Sequence, residues 1–564
     1  MEMLLRYARG ISYSQLYKEG TDTIEELIKG LPTCESVMCL SFLVHNKITL
    51  TLDENDYNII CPLLFKFTNE LRDKILEYMG PVGRPLDQYI DVHAMLETIE
   101  CLLKHQNNDR QDLSNDEFSR LFKAYLIVCD TYTEKEARIG KNGEYSSDDM
   151  LKYYMPIALR MNKSLTIKDP LIELVKSKLF LIDFASDNKQ FSKYIDTYLK
   201  EKGCGSASEY IQHLYQISTL LITNKERNNV FRLEYKDIIT IGSFLDNFCI
   251  NTNDEIEVNI QERPLYKVDE RTYCVIYNKF FVDKFFHSML FDIAKVLERK
   301  KHINTSKTPA YVQLKQLVGQ KFTEQYLFYN IVDRVLADKR YEKKTGEEMS
   351  IIGDGFPDFY AKKVQRVFLF EFKDIQLSRK VSISGDFDFI IKALERELVV
   401  NDKGRPKGVT QLANNIENNL HKLVGENIKA QRLQVYPVLV YSDSSFDIEG
   451  FNYYLNTRFR EIISNREIPD YIIVKDLIMI NIDALILFEK AFIDKTIKFD
   501  VLINEFLSFK ESKEQYRVVP FNKYLFQKAK QKGCYYQASY IVNKILSELA
   551  ENINNNGNSK RNDK

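Results

Sequence analysis

Two short segments, Gly353-Asp-Gly-Phe-Pro-Asp-Phe-Tyr360 and Val367-Phe-Leu-Phe-Glu-Phe-Lys-Asp374, decide how the middle of this chain folds. Both contain aromatic residues that favour strands, and Val364-Gln365 lies between them. If the chain turns there, the segments pair as antiparallel strands and Asp358 faces Glu371, with Cβ atoms about 5 Å apart. The sequence therefore predicts a β-hairpin that brings two carboxylates together.

The same hairpin predicts a chemical site. Side chains alternate along a strand, so Lys373 lies on the side of Glu371, while Phe368, Phe370 and Phe372 point the other way into a core. Two close carboxylates repel each other, and Mg²⁺, which prefers oxygen ligands and keeps several waters, relieves that repulsion. Such an ion lowers the pKa of bound water, and a nearby lysine offsets charge on a phosphate. This combination indicates metal-dependent phosphodiester hydrolysis.

A plainer interpretation exists for each of these residues. Glu371 and Lys373 could be an exposed ion pair on a strand, which contributes little to stability. Asp358 could simply stabilise a turn, where aspartate is common. The first alternative is disfavoured because a strand as apolar as 367–372 rarely contains a carboxylate without cause.

Pro357-Asp358 and Glu371-Phe372-Lys373 resemble the paired motifs of the PD-(D/E)XK nuclease superfamily, which includes many restriction endonucleases, recombination nucleases and junction resolvases. The resemblance implies that Asp358 and Glu371 bind Mg²⁺, for which Mn²⁺ could substitute. It also implies that Phe372 contributes its backbone carbonyl to the metal and that Lys373 assists the nucleophile.

The resemblance spans about residues 310–445 and includes the predicted order of helix, three strands, helix and strand. It implies two further site residues, a catalytic Gln411 in the following helix and a metal-binding Glu324 in the preceding one. Gln411 could equally be a helix-surface residue, and for Glu324 a plain place on the helix surface is the favoured alternative. A long polar insertion, Ile375 to Gly408, departs from the family pattern and leaves the role of Gln411 open.

A basic run precedes the hairpin, and its four cations are Lys339, Arg340, Lys343 and Lys344. Because nucleic-acid affinity depends mainly on contacts to phosphates, this run is a candidate nucleic-acid-binding element. The alternative is a solvated turn.

A chain of 564 residues is too long for one hydrophobic core. Residues 1–250 show apolar residues three and four apart, which predicts a mostly α-helical recognition, regulatory or assembly region. Within it, the apolar runs of Ser36–Leu52 predict a strand pair. The remaining predicted regions are a β-hairpin and helix connector (251–308), an α/β restriction-endonuclease-like nuclease domain with a mixed central sheet (309–480), a helical region (481–550) and a disordered tail (551–564).

Composition excludes several classes of protein. The nine cysteines are scattered and form no CxxC pair, so neither a disulfide framework nor a zinc site is expected. No apolar run approaches the roughly 18 residues that span a bilayer, and the first residues lack a secretory signal. A cytoplasmic protein without membrane contact is expected. The net charge of -1 still allows a locally basic nucleic-acid groove.

The leading functional hypothesis is a Mg²⁺-dependent endonuclease that acts on DNA, by analogy in bacterial restriction or anti-phage defence. Its expected partners are nucleic acid and either a second copy of the chain or an accessory defence protein. Two alternatives stay open: a ribonuclease, and a catalytically dormant binding or scaffolding protein built on a nuclease fold. A fold-level analogy cannot choose among these functions.

Overall fold

A computed structural model describes most of the chain. The described residues are 11–18, 20–49, 57–80, 90–107, 112–136, 151–152, 155–156, 158–160, 168–226, 232–234, 242–250, 258–425, 432–534 and 547. The predicted tail, 551–564, lies outside them. Within the described part, no helix is both long and apolar enough to cross a membrane, and the nine cysteines are free thiols.

The chain is multidomain and forms two compact units. The first unit comprises Met1–Lys141, Ile167–Leu174 and Asp196–Asp292, and the second comprises Asn142–Thr166, Val175–Ile195 and Ile293–Lys564. Among the described residues, the boundaries between the units fall within the helices Pro170–Lys178, Lys189–Glu201 and Met289–Arg299.

The first unit is mainly helical, as predicted. Its helices are Tyr13–Leu16, Ile24–Ile28, Thr33–Thr49, Tyr57–Leu63, Asn69–Met79, Val92–Lys104, Asn115–Glu136, Ala207–Glu226, Gly242–Asp246 and Asn278–Asp283. The predicted connector hairpin is confirmed as two antiparallel strands, and a third strand joins them in the order β1-β3-β2. These strands are β1 (Arg232–Glu234), β2 (Leu265–Asp269) and β3 (Thr272–Val275).

The strand pair expected at Ser36–Leu52 is wrong, because Thr33–Thr49 is a helix. Val37, Leu40 and Val44 are at most 1% exposed, and their spacing of three and four residues is helical. Short apolar runs do not distinguish strand from buried helix, and here packing overrides strand propensity. Residues 50–52 lie outside the described residues.

The second unit contains a mixed sheet in the order β4-β5-β6-β7-β8. Strand β9 also pairs with β7, further along that strand than β8 does. Strand β5 pairs antiparallel with β4 and with β6, whereas β7 pairs parallel with β6, β8 and β9. The strands are β4 (Glu342–Thr345), β5 (Phe359–Lys363), β6 (Arg366–Lys373), β7 (Leu433–Tyr441), β8 (Ile472–Val474) and β9 (Ile478–Asn481).

The register of the β5–β6 hairpin is the predicted one. Phe359 pairs with Phe370 and Lys363 with Arg366, so the turn falls at residues 364–365. Val364 adopts a positive φ of 56° there, a conformation that β-branched residues rarely adopt. Tight hairpin turns commonly require positive φ, which explains why the strain is localised at this position.

The two faces of β6 bury different side chains. Phe372 stacks on Phe328 with ring centroids 5.0 Å apart, and Phe368 lies 5.5 Å from Phe499. On the other face, Val367 and Leu369 belong to a core formed with helices. Since β6 is covered on both sides, a carboxylate at Glu371 is an exception that requires a chemical explanation.

The helices of the second unit surround this sheet. They are Ala310–Val318, Tyr329–Val335, Gly346–Ser350, Arg379–Ser382, Phe387–Leu398, Gly408–Asn414, Leu420–Val424, Phe451–Ser464, Ile482–Ile493, Phe499–Ser512 and Phe521–Gln531. Wider π-helical turns occur at Leu179–Phe184, Gly319–Phe328 and Asn415–Asn419, and 3₁₀ turns at Ser444–Phe446 and Glu514–Tyr516.

The segment predicted as a polar insertion, Ile375 to Gly408, is partly a core element. Its helix Phe387–Leu398 begins at Asp386, whose carboxylate accepts a hydrogen bond from a backbone N–H of the first turn. Ile390 and Leu394 on this helix are fully buried in the core of the second unit. Their spacing of four residues gives the helix an apolar face, so an insertion with high polar content still packs on the sheet.

Candidate active site

Glu371 and Lys373 lie at the end of β6 and contact each other. The Nζ atom of Lys373 is 2.7 Å from Oε1 of Glu371. Glu371 is only 1% exposed, and its second oxygen, Oε2, has no hydrogen-bond partner among the described residues. Leaving a buried carboxylate oxygen unsatisfied is costly, so this atom is suited to bind a ligand.

Asp358 is positioned by backbone contacts at the start of the hairpin. Its Oδ2 accepts a hydrogen bond of 2.7 Å from the Phe372 N–H, and its carbonyl accepts one of 2.7 Å from the Gly346 N–H. The preceding turn uses Gly355, which has φ of +79°, and Asn419 donates a 2.8 Å hydrogen bond to its carbonyl. The carboxylates of Asp358 and Glu371 therefore share one end of the hairpin, as the register predicted.

Glu324 joins this group through the π-helical turn Gly319–Phe328. It is half-buried and interacts electrostatically with both Asp358 and Lys373. The structure thus brings together four residues from the sequence prediction, and the role of Glu324 in the site stays a prediction.

The electrostatics of the site reflect an excess of acid. Burial, followed by repulsion from Asp358, raises the pKa of Glu371 to about 8, against the opposing effect of Lys373. Burial and the same repulsion raise the pKa of Glu324 to about 7, and burial also raises that of Asp358. Burial alone would lower the pKa of Lys373, but the neighbouring carboxylates raise it overall. Three carboxyl groups face one ammonium, so a further cation would reduce the repulsion among the carboxylates.

The carboxylates of this group are the candidate ligands for a divalent cation. Within the described residues, no three acidic, histidine or cysteine side chains already converge as a metal cage. Instead, Glu371 is turned toward Lys373, and Asp358 toward the Phe372 N–H. Mg²⁺ commonly uses one or two carboxylates and several waters. The unsatisfied Oε2 of Glu371 and the surplus of acidic groups are compatible with such an ion.

Gln411 lies on the helix Gly408–Asn414, which packs on β6 and β7. A Cβ added at Gly408 would be 3.5 Å from Cε of Lys373 and 2.9 Å from Leu439, so the glycine allows this helix to approach the lysine. Gln411 is half-buried one turn later. Its helix is adjacent to the site, and its catalytic role stays a prediction.

The basic run that leads into β4 and continues in it is largely paired with carboxylates. Arg340 donates to Asp338, Lys343 pairs with Asp333 and Lys344 lies 3.4 Å from Glu342. Such surface pairs are weak and exchange readily with solvent. Lys339 is exposed. A role of these four residues in nucleic-acid binding stays a prediction.

Sequence reasoning missed Tyr329 and Glu347, which also face the acidic group. Tyr329 follows Glu324 by five residues, which lie about 140° apart on a regular α-helix. Only the wider turn places them together, and no sequence signal marked it. Glu347 could have been found, because Thr345 and Glu348 form a capping box that starts a helix there.

The raised pKa values predict how the metal-free protein responds to pH. Glu371 and Glu324 have pKa values of about 8 and 7 in the folded protein, against an ordinary value of 4.5. Between pH 6.5 and 8 the folded protein therefore holds protons that the unfolded chain has lost. The free energy of unfolding should fall as pH rises, by at most about 1.4 kcal/mol per pH unit for one group.

This expectation can be measured by urea unfolding in EDTA across that window. Burial lowers the pKa of His45 to about 4, so this residue makes the free energy of unfolding rise with pH. That effect is confined to pH values below the ordinary histidine pKa of 6.5 and so lies below the window. Buried Asp447, with its pKa raised to about 7, acts in the same direction as Glu371, so Glu371→Gln is the reference that isolates the site. Added Mg²⁺ should reduce the slope, and an equal slope in wild type and Glu371→Gln would contradict the assignment.

Comparisons with known proteins add no assignment. No family model matches the chain, and no curated protein or solved structure is detectably similar to it. The function must therefore be inferred from the geometry and chemistry of the site.

Proposed function

We propose that this chain is a Mg²⁺-dependent endonuclease that hydrolyses phosphodiester bonds in DNA, through a restriction-endonuclease-like domain of the PD-(D/E)XK type. The observation that carries the proposal is the buried Glu371 carboxylate, which contacts Lys373 at 2.7 Å and keeps one oxygen unsatisfied. A role in bacterial restriction or anti-phage defence follows only by analogy.

Asp358, Glu371 and the backbone carbonyl of Phe372 would hold the ion, with Glu324 beside them. When bound, Mg²⁺ lowers the pKa of a water molecule and draws a phosphate oxygen into the site. Lys373 orients the attacking water and offsets the negative charge that develops on the phosphate. Its raised pKa keeps this amine protonated at neutral pH, which suits the second task.

Removing the site residues should abolish cutting. Purified protein is incubated with plasmid DNA and, separately, with RNA, in Mg²⁺ or in EDTA, alongside Asp358→Ala and Lys373→Ala. We expect metal-dependent DNA cutting by wild type and a loss of at least about a hundredfold in both variants. The matched control is Lys362→Ala, a half-buried lysine of β5, which should cut like wild type.

The other outcomes distinguish the alternatives. Cutting of RNA alone would identify a ribonuclease. DNA binding without cutting in any divalent cation would identify a dormant nuclease fold that serves as a binding or scaffolding protein. Cutting that survives in Lys373→Ala and Asp358→Ala would place the catalytic site elsewhere in the chain.

A further inference from the structure

Tyr329 places a phenol hydroxyl among the carboxylates of the candidate active site. The residue is 8% exposed, and its ring lies 6.4 Å from that of Phe359. A Cβ added at Gly346 would be 2.9 Å from the Tyr329 hydroxyl and 3.2 Å from the Asp358 carbonyl oxygen. The hydroxyl and the backbone of Asp358 therefore border the same small space, which the missing side chain of Gly346 keeps open.

The π-helical turn Gly319–Phe328, which connects the helices Ala310–Val318 and Tyr329–Val335, explains this placement. The Tyr329 N–H donates to the Glu324 carbonyl, a bond across five residues rather than the four of an α-helix. Residues 324 and 329 consequently lie one above the other on the same side of the helix. Turns of this kind are often found at functional sites.

The surroundings of the hydroxyl determine its protonation state. Burial, followed by the negative charges of Glu324, Asp358, Glu347 and Glu371, raises the pKa of Tyr329. The group remains a neutral O–H donor at any physiological pH. Among the described residues it makes no hydrogen bond, although four carboxylates are near enough to raise its pKa. An unused donor beside an otherwise acidic site is available to an acceptor that enters from outside.

We propose that Tyr329 is a substrate-contacting catalytic residue whose hydroxyl donates a hydrogen bond to a non-bridging oxygen of the scissile phosphate. This inference rests on the proposed nuclease function. A neutral donor suits the position because it can approach the phosphate without pairing permanently with the carboxylates, as a second lysine would. The absence of a side chain at Gly346 leaves room for the hydroxyl at this position.

The test uses Tyr329→Phe, Gly346→Ala and the double variant in the full chain. Tyr329→Phe keeps the ring and should lower the rate of DNA cutting by about 10- to 100-fold, the usual effect of losing a hydrogen bond to a charged group. The Mg²⁺ concentration that half-maximally stabilises the protein against heat should stay at the wild-type value. Gly346→Ala should also slow cutting, because its Cβ would crowd both the hydroxyl and the Asp358 carbonyl oxygen, and the part of the loss that acts through the hydroxyl should disappear in the double variant.

A readout without catalysis completes the test. In the inactive Lys373→Ala background with Mg²⁺, adding Tyr329→Phe should weaken binding of a labelled DNA duplex by about threefold to tenfold, within the range for one hydrogen bond. Unchanged cutting and binding in Tyr329→Phe would overturn the inference, as would a shifted Mg²⁺ midpoint, which would mean that the hydroxyl acts on the carboxylates. A wild-type protein that neither cuts nor binds DNA would overturn the nuclease function as well. If the wild type cuts DNA and Tyr329→Phe cuts and binds it equally well, this inference alone would be overturned.

Discussion

Replacing Glu371 by glutamine should abolish DNA cutting and, at the same time, stabilise the metal-free protein. The loss of cutting should be at least about a hundredfold, because the amide cannot serve as an anionic ligand for the cation. The gain in stability should be about 1–3 kcal/mol near pH 8, since glutamine removes a buried carboxyl group whose pKa is raised to about 8. Its amide oxygen can still accept the hydrogen bond from Lys373.

The two effects are informative together. Replacing a residue that is retained for stability should destabilise the protein. Replacing a residue that is retained for chemistry often stabilises it. The measurements are single-turnover cutting with Mg²⁺ and urea unfolding in EDTA. Glu342→Gln is the matched control on strand β4 of the same sheet, which β5 separates from β6; its side chain is exposed and lies 3.4 Å from Lys344. It should change neither quantity, and a destabilised Glu371→Gln that cuts normally would reject our assignment of Glu371.

Replacing Asp500 by alanine should cost about 3 kcal/mol of folding free energy. Asp500 is 4% exposed and accepts hydrogen bonds from Lys363 at 3.1 Å and Arg366 at 2.6 Å. It therefore ties the turn end of the β5–β6 hairpin to helix Phe499–Ser512. Removing one partner leaves the buried ammonium of Lys363 undercompensated, which typically costs 3–5 kcal/mol. We expect the lower end of this range, because Lys363 also lies 3.1 Å from Asp338, which would still compensate part of its charge.

Urea unfolding of two further variants tests this explanation. Lys363→Met combined with Asp500→Leu replaces the buried pair by apolar side chains and should recover most of the lost stability. Asp338→Ala should cost less than Asp500→Ala, because Asp338 is the more exposed partner, with 19% of its side chain accessible against 6% for Asp500. If the double variant is no more stable than Asp500→Ala alone, the cost does not arise from an unpaired charge.

The accuracy of the sequence predictions depended on how local each feature was. The β5–β6 register followed from a two-residue turn and strict alternation, so Asp358, Glu371 and Lys373 could be placed from sequence. The helix at Thr33–Thr49 could not, because its apolar run suits either structure until neighbouring helices select one face. The core helix inside the predicted insertion was missed for a related reason, since its many polar residues obscured the apolar face.

By itself, the sequence determined which three side chains share the end of one hairpin, since strand periodicity and turn length are encoded within twenty or so consecutive residues. Tertiary structure decided everything that depends on a second element. It buried Glu371 and left one of its oxygens unsatisfied, and it placed Glu324 and Tyr329 on the same side of a helix through a widened turn. Burial, charge coupling and the path of a neighbouring helix arise from packing between distant segments, and local patterns in a single sequence do not specify them.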